Sequence, residues 1–427
     1  MNVSGVLMLG SGVMTPKGEG RMKVVALETL QLAEFPFLFW LRVHTDAGIV
    51  GTGETFWAPG PVASYIHDNV AGYLLGKDPR DIELHDRTLG SVYVGARDSG
   101  AEVRGNSAVN IALWDIYGQA LGEPVWRLLG GRTHKSVPIY NTCAGYKHVR
   151  ATRKNALFER GEDWSLKAGD SNEGPYEDLL AWRYNAGDLA RSLLSEGIRA
   201  MKIWPFDIAA EASNGTRISA VDLDKALEPF RKIRDAVGRD MEIMVELHGL
   251  WTLPPALRIA EALKPFDVAW LEEPIRYNEF DALAELARHT SIPVAASERL
   301  ASRQMFKQLI DRRAASVIMI DLAWCGGLSE ARKIANMAEA SELPVTLHDC
   351  TGPIVYAASC ALSATLPNVN YQEAVRAYFT GWYREIVADL PPVTDGHVSP
   401  LEGPGLGLSL RPEVFQRPDA TVRVSRL

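Results

Sequence analysis

Ionisable side chains stand at the ends of a series of short apolar segments in the second half of the chain. In MVELHGLW, Glu246 and His248 are two positions apart, so on a strand they point to the same side. Such a pair is either a polar contact at the edge of a core or a metal ligand beside an acid–base group. Similar positions recur at the ends of seven segments: Lys202, Glu246 with His248, Glu272 with Glu273, Glu298, Asp321, His348 with Asp349, and Glu373. Because desolvating charged groups is costly, this recurrence indicates a functional site rather than core packing.

Three of these positions are glutamates on successive segments, Glu246, Glu272 and Glu298. Clustered carboxylates repel one another unless a cation lies between them. Carboxylate oxygens with room for water and substrate suit Mg²⁺, with Mn²⁺ as the alternative. We therefore predict these three glutamates as metal ligands. Glu273 is expected to face away from them, either behind the ligands or at the surface.

Strand and helix patterns alternate through this half of the chain. The predicted strands are VPIY, AMKIW, EIMVEL, VAWLEE, PVAASE, SVIMID, PVTLHD and NVNYQEA, and helical patterns such as FDALAELARHT lie between most of them. Near-continuous apolar strands are typical of parallel sheets buried on both faces, so eight such units predict a closed (β/α)₈-type barrel. A doubly wound open sheet is the alternative, but no Gly-rich phosphate loop follows the first strand. In such barrels the chemistry lies at the carboxyl ends of the strands.

Two histidines form the second element of the predicted site. His248 follows the third predicted strand and His348 follows the seventh, so in an eight-stranded barrel they would flank a ligand from opposite sides. Asp321, after the sixth strand, would orient His348 and raise its basicity. Taken singly, each histidine is a structural residue or a catalyst; the opposed pair with an acidic partner favours catalysis.

The remaining segments predict a second unit and a long connection. MKVVALETLQL, FLFWLRVHT and IVGTGETF predict an antiparallel sheet, and GNSAVNIALWDIYGQALG predicts a helix that ends at Gly122. We assign 1–135 to an α+β capping domain, 136–375 to the barrel, and 376–427 to a C-terminal segment that returns to the cap. The charged, Gly-rich connection from 147 to 184 predicts a lid or a subunit contact, in preference to an inert insertion.

Composition limits the class of protein and its partners. The 427 residues are 47% hydrophobic and 23% charged, which is ordinary for a soluble globular protein. The net charge of −8 argues against nucleic acid as a partner, and no apolar run of about eighteen residues predicts a membrane span. The four cysteines lack zinc-type spacing and predict reduced thiols in a cytoplasmic protein. Residues 1–21 are interpreted as an arm or tail rather than a secretion signal.

Taken together, the motifs of the chain resemble the enolase superfamily, in its mandelate racemase-like subgroup. The motifs are SAVNIALWDIYGQALGEPVWRLLGG, AMKIW, WLEEP, ASERL, IDLAWCGGLSEARKIA, LHDCTGPI and YQEA. The resemblance covers nearly the whole chain apart from residues 1–21 and the connection from 147 to 184. It implies a (β/α)₇β form of the barrel, capped by an α+β domain built from both chain ends, and a homo-oligomer.

The resemblance also implies a role for individual residues. The implied metal ligands are Glu246, Glu272 and Glu298. The implied base is His348, with Asp321 as its acidic partner, and the implied substrate-binding carboxylate is Glu373. The implied chemistry is abstraction of the proton α to a carboxylate, giving an enediolate held by Mg²⁺. That proton is very weakly acidic, so developing negative charge must be stabilised.

Two departures from the family pattern refine this expectation. Racemising members carry K-x-K on the second strand, whereas here Trp204 stands two positions after Lys202, and an indole cannot act as the base. Lys202 would then hold the substrate carboxylate or stabilise the enediolate. The carboxylate-x-His of Glu246 and His248 resembles acid-sugar dehydratases, such as those acting on galactonate or mannonate, in which the histidine protonates the departing 3-hydroxyl. The second departure is Glu246 itself, which stands where many members of the family have aspartate.

We therefore expect a Mg²⁺-dependent dehydratase that converts a small-molecule sugar acid to a 2-keto-3-deoxy acid. The alternatives are a racemase, epimerase or lactone cycloisomerase, in which Lys202 or His248 partners His348, and a non-catalytic binding protein of the same fold. The loop from Thr55 to Gly60 and the connection from 147 to 184 are expected to select the sugar. Trp57 in that loop is either a substrate wall or a packing residue.

Overall fold

The computed structural model describes residues 22–91, 99–146, 148–150 and 176–427. The strands of the cap are β1 Val24–Leu32, β2 Leu38–Thr45 and β3 Val50–Phe56. The strands of the barrel are β4 Val137–Thr142, β5 Ala200–Ile203, β6 Glu242–Glu246, β7 Trp270–Glu272, β8 Val294–Ala296, β9 Val317–Ile320, β10 Val345–Leu347 and β11 Val369–Ala374. The C-terminal strands are β12 Val393–Thr394, β13 His397–Val398 and β14 Ala420–Arg426.

Helices cover one side of the cap sheet and surround the barrel. The cap helices are α1 Pro59–Tyr65, α2 Ala71–Leu74, α3 Ile82–Leu89, α4 Ala101–Leu121 and α5 Val125–Leu128. The following helices are α6 Asp178–Ser195, α7 Asp207–Ser213, α8 Ala220–Val237, α9 Leu253–Leu263, α10 Phe280–His289, α11 Arg303–Asp311, α12 Leu328–Ala340, α13 Pro353–Ser363 and α14 Tyr383–Ile386. The described ranges also contain two π-helical turns, Ile66–Val70 and Tyr378–Trp382, and two 3₁₀ turns, Lys264–Phe266 and Pro412–Gln416. Among the helices of the described ranges, none combines the length and the apolar character that crossing a bilayer requires.

The cap is an antiparallel sheet in the order β14-β1-β2-β3, with α4 packed on β3. Gly51 and Gly53 permit this close approach, because a Cβ on either would lie within 2.1 Å of a backbone oxygen of α4. The helix ends where the sequence predicts, with Gly122 in the left-handed conformation at φ 69°. Since β14 comes from the end of the chain, the cap is built from both chain ends, as predicted.

The barrel is a closed ring in which β4 to β11 follow one another in chain order. Each strand pairs in parallel with the next, and β11 pairs in parallel with β4. The predicted barrel with an α+β cap is therefore confirmed, and the open-sheet alternative is wrong. After β11 the chain enters a π-helical turn and the four-residue α14 instead of a long helix, which corresponds to the (β/α)₇β form.

Strand alternation explains why polar groups gather at one end of the barrel. An apolar cluster inside the barrel consists of Tyr140, Ala200, Met244, Trp270, Ala295, Val317 and Met319. Side chains two positions apart on a strand share a side. Glu246 therefore stands directly above Met244, and Glu272 above Trp270. The interior core fills the lower part of the barrel, and its mouth is lined by the ionisable residues.

Two boundaries differ from the sequence prediction. The helix after β4 begins at Asp178, so the predicted end of the long connection at Tyr184 lies inside α6. Residues 147 and 151–175, on which the predicted lid or subunit contact falls, and the predicted arm 1–21 lie outside the described residues. The C-terminal segment also joins the barrel before it reaches the cap, because Val398 of β13 pairs with Val137 of β4.

Candidate active site

The predicted site residues all lie at the carboxyl-terminal edge of the barrel. They are Lys202 on β5, Glu246 and His248 at the end of β6, Glu272 on β7, Glu298 after β8, Asp321 after β9, His348 after β10, and Glu373 on β11. All except His248 are buried, with at most 4% of the residue exposed. Burial of this many ionisable groups requires that they compensate one another.

The three glutamates predicted as metal ligands converge. One carboxylate oxygen of each of Glu246, Glu272 and Glu298 lies within 4.8 Å of the others. Burial and the neighbouring Glu246 carboxylate raise the pKa of Glu272 well above its ordinary value, a sign of like charges held together. Hard oxygen donors at this spacing fit a divalent cation such as Mg²⁺.

Lys202 lies among the same carboxylates. Its ammonium contacts the carboxylate of Glu272 and lies 3.0 Å from Glu373 and 3.6 Å from Glu246. Burial alone would lower the pKa of Lys202, but these carboxylates outweigh it and bring the pKa well above its ordinary value. The surrounding carboxylates therefore favour the charged form of Lys202.

His348 is held by an acidic partner on one ring nitrogen and faces a carboxylate on the other. Its Nδ1 lies 2.5 Å from Asp321, and its Nε2 lies 2.9 Å from Glu298. Burial would lower the pKa of His348, but the carboxylates of Glu298 and Glu373 raise it well above its ordinary value. The indole of Trp324 stacks on the imidazole, with ring centroids 5.3 Å apart, and restricts its rotation.

His248 occupies the opposite side of the mouth, because β6 and β10 are four strands apart in both directions around the ring. Its backbone is left-handed, at φ 50°, which turns its side chain out of the line of the strand. The backbone N–H of His248 donates to Glu246 at 2.5 Å, and its Nδ1 lies 2.6 Å from the buried carboxylate of Asp207. The two predicted imidazoles thus face the same carboxylate cluster from opposite strands.

Three kinds of contact in this site were missing from the sequence prediction. Tyr140 and Thr142 of β4 both donate hydroxyl hydrogen bonds to Glu373, the former at 2.7 Å. Arg299 lies 3.1 Å from Glu298, and Asp207 binds His248. All four residues lie on or shortly after predicted strands. Their residue types are also common in ordinary loops, helix starts and strands, so the sequence did not distinguish them from residues without a role in the site.

Glu273 is not a surface group, which excludes one of the two positions expected for it. The residue is fully buried behind the ligands, where one carboxylate oxygen accepts the backbone N–H of Glu298 at 3.1 Å. Burial, together with the nearby Glu298 carboxylate, raises the pKa of Glu273 to about 8. Glu273 therefore holds the segment that carries Glu298.

A cavity of about 110 Å³ opens at the mouth and is lined by both histidines, Lys202, Glu246, Glu298 and Glu373. Its aromatic walls are Phe37, Phe56, Trp57, Trp204 and Trp324. Phe37, Phe56 and Trp57 come from the cap, so the loop predicted to select the sugar does reach the site. A larger cavity of about 430 Å³ lies beside α3 and α11, but it contains none of the predicted site residues. The smaller one is the candidate active site, because the chemical groups converge there.

Comparison with known families accounts for both parts of the chain. The model of the enolase C-terminal domain-like family matches residues 185–414, and the model of the mandelate racemase / muconate lactonizing enzyme N-terminal domain matches residues 14–130. The chain belongs to the enolase superfamily. Members of this superfamily bind Mg²⁺, which agrees with the donor set of the three glutamates.

Individual relatives span nearly the whole chain. The sequence is 27% identical over 406 residues to D-xylonate dehydratase of Haloferax volcanii, covering 93% of this chain and 89% of that protein. It is 30% identical over 409 residues to D-galactonate dehydratase of Xanthomonas axonopodis pv. citri, covering 93% and 94%. A crystal structure of an enolase of the mandelate racemase subgroup from Agrobacterium tumefaciens is 45% identical, with a TM-score of 0.82 and coverage of 95% and 99%.

Proposed function

We propose that this enolase superfamily enzyme is a Mg²⁺-dependent hydro-lyase that dehydrates a sugar acid to a 2-keto-3-deoxy acid. The observation that carries the proposal is the placement of His248 and His348 on opposite strands of the mouth, with the carboxylate cluster between them. Elimination of water needs a base at the α-carbon and an acid at the 3-hydroxyl, and two opposed imidazoles supply both. The dehydratases among its relatives support the same reaction class.

His348 is the proposed base. Asp321 binds its Nδ1, which holds the ring so that Nε2 faces the cavity beside Glu298, 2.9 Å away. Engagement of Glu298 as a metal ligand would leave Nε2 able to accept the α-proton. Asp321 also stabilises the imidazolium that forms when Nε2 takes the α-proton. The stacked Trp324 keeps the ring in this orientation while the proton moves.

Negative charge that develops on the substrate carboxylate needs positive charge or hydrogen-bond donors nearby. Glu246, Glu272 and Glu298 would hold a Mg²⁺ ion, which supplies positive charge at that carboxylate when bound. Lys202 places its ammonium beside the same cluster. Glu373 lies within reach of Lys202 in the cavity and orients a hydroxyl or carboxylate of the substrate.

His248 is the proposed acid. Burial would lower its pKa, but the carboxylates of Asp207 and Glu246 raise the pKa above its ordinary value, which favours the protonated form that a general acid needs. The C3–O bond breaks as His248 gives its proton, and the hydroxyl leaves as water. The resulting enol then rearranges to the 2-keto-3-deoxy acid, so the net reaction is loss of one water molecule.

The test is turnover of a panel of sugar acids, including D-xylonate, D-galactonate, D-gluconate and their stereoisomers, with Mg²⁺ present. We expect at least one to yield a 2-keto acid, detected as its semicarbazone. His348→Asn should reduce this rate by about 10³- to 10⁴-fold, because the general base is lost. A panel that gives no keto acid, or deuterium incorporation at the α-carbon from ²H₂O without loss of water, would contradict the proposal. The second result would favour a racemase or epimerase.

A further inference from the structure

The contact between Asp207 and His248 links two segments that are far apart in sequence. Asp207 is the first residue of α7, in the connection that follows β5, and His248 follows β6. The Asp207 carboxylate is buried, with 2% exposed, and its Oδ2 lies 2.6 Å from Nδ1 of His248. A short contact between a carboxylate and one ring nitrogen restricts the direction of an imidazole.

The backbone at His248 alone does not hold the ring. The left-handed conformation at φ 50° is uncommon for a residue with a side chain, and 25% of the His248 side chain is exposed. His248 is thus more open than His348, whose side chain is 5% exposed and stacked on Trp324. Around the His248 ring lie Trp204, edge-on with centroids 5.9 Å apart, and the charged groups of Asp207, Glu246 and Arg299.

Asp207 contacts the ring on the Nδ1 edge, so Nε2 lies on the opposite edge. His248 lines the cavity at the mouth, whereas Asp207 does not. The arrangement repeats, on the other side of the barrel, the way in which Asp321 holds Nδ1 of His348. The site thus contains two aspartate–histidine pairs that face one carboxylate cluster.

We propose that Asp207 is a positioning residue, which holds His248 so that Nε2 points at the leaving 3-hydroxyl. The inference rests on the proposed dehydratase function and deepens it. Asp207 does not line the cavity, so it would act through the imidazole. An acidic residue in the first turn of a helix is also a common stabilising feature, so the alternative is a structural role at the start of α7.

A positioning role and a structural role predict different ratios of α-proton exchange to dehydration. We expect Asp207→Asn to slow dehydration by about 100-fold while abstraction of the α-proton by His348 continues. With the substrate that the wild type turns over fastest, in ²H₂O and saturating Mg²⁺, the ratio of deuterium in recovered substrate to keto acid formed should rise about 100-fold. A structural defect would lower both rates together and leave the ratio unchanged.

The matched control is Glu211→Gln, which makes the same charge change on an exposed residue of the same helix. It should leave both rates within about twofold of the wild type, as surface substitutions usually do. Calorimetric titration with Mg²⁺ and thermal unfolding of Asp207→Asn confirm that the variant is folded. A ratio that stays constant in Asp207→Asn, or that rises equally in Glu211→Gln, overturns the proposal.

A structural readout separates this inference from the proposed function. Crystal structures of the wild type and Asp207→Ala give the position of the His248 ring without any need for turnover. If no sugar acid is dehydrated, the proposed function fails, yet a ring that swings away in Asp207→Ala still supports positioning by Asp207. A ring that stays in place contradicts positioning, whatever the substrate is.

Discussion

Buried acidic residues occur in two regions with different surroundings. At the mouth of the barrel, buried glutamates face one another. At the contact between the cap and the rest of the chain, buried acids face hydrogen-bond donors. We call the second region the seam and define it by Glu54 and Asp115, which are buried. Asp115 accepts backbone N–H groups from Thr52 at 2.9 Å and from Leu406 at 2.8 Å. Glu54 accepts the indole N–H of Trp40 at 2.6 Å and the backbone N–H of Val355 at 2.9 Å.

The difference separates a structural acid from a functional one. In the seam each carboxylate oxygen has its own donor, so the group joins segments and needs no further partner. At the mouth Glu246, Glu272 and Glu298 direct oxygens at one another, and Lys202 offsets only part of their charge. Burial alone therefore does not mark a catalytic site; convergence of like charges does.

The largest effect is expected at the mouth. Glu272→Gln removes one anionic ligand and should weaken Mg²⁺ binding by at least about 100-fold, since even neighbours of ligands change metal affinity by 10- to 100-fold. Titration calorimetry measures this, with Asp115→Asn as the control that should bind Mg²⁺ like the wild type. Because relief of the repulsion from Glu246 offsets the lost ion pair with Lys202, metal-free Glu272→Gln should unfold at nearly the wild-type temperature. Unchanged Mg²⁺ affinity would remove Glu272 from the ligand set.

The seam should respond in the opposite way. An asparagine at position 115 has only one acceptor oxygen, so its NH₂ group would face the N–H of either Thr52 or Leu406. Leaving such a buried donor unpaired costs about 1–3 kcal/mol. Denaturant unfolding of Asp115→Asn should therefore show a loss of this size, with Glu272→Gln as the comparison. If the two variants lose equal stability, the distinction between mouth and seam is wrong.

The barrel and the placement of the predicted site residues could be predicted because both depend on local alternation. An apolar segment that ends in a charged residue specifies a strand, its direction and the side on which the charge lies, as at Met244 and Glu246. Parallel order then brings the segment ends together. The start of α6 at Asp178 was missed, because its first turn belongs to a charged stretch that resembles a loop.

Partners that come from a different segment could not be predicted in this way. Nothing in KIWPFD shows that Asp207 meets a histidine 41 positions later, since that contact depends on how α7 packs beside β6. Glu273 illustrates a second limit. Strand alternation correctly predicted that Glu273 faces away from the mouth. The outer side of a barrel strand is covered by other segments, however, so a residue that faces outward is not exposed to solvent.

The change per pH unit is the smallest expected difference, and it concerns the pH dependence of the seam. Burial raises the pKa of Glu54 to about 8, against an ordinary value near 4.3 in an unfolded chain. Between these values the folded protein holds a proton that the unfolded chain has released. The free energy of unfolding should therefore fall as the pH rises from about 4.5 towards 8, by at most about 1.4 kcal/mol per pH unit from this group.

Glu54→Gln is uncharged at every pH and removes this contribution, although it also loses an acceptor oxygen. The measured quantity is the difference in unfolding free energy between wild type and Glu54→Gln, followed from pH 5 to pH 8. The unfolding free energy of the wild type should fall relative to that of Glu54→Gln as the pH rises, because only the wild type releases a proton from position 54 when it unfolds. Asp115→Asn is the reference, since burial raises the pKa of Asp115 only to about 6. The difference in unfolding free energy between wild type and Asp115→Asn should become constant above about pH 6. A Glu54 difference that is equally flat there would mean that its two donors keep the carboxylate charged, and that the seam tolerates a buried charge as the mouth does.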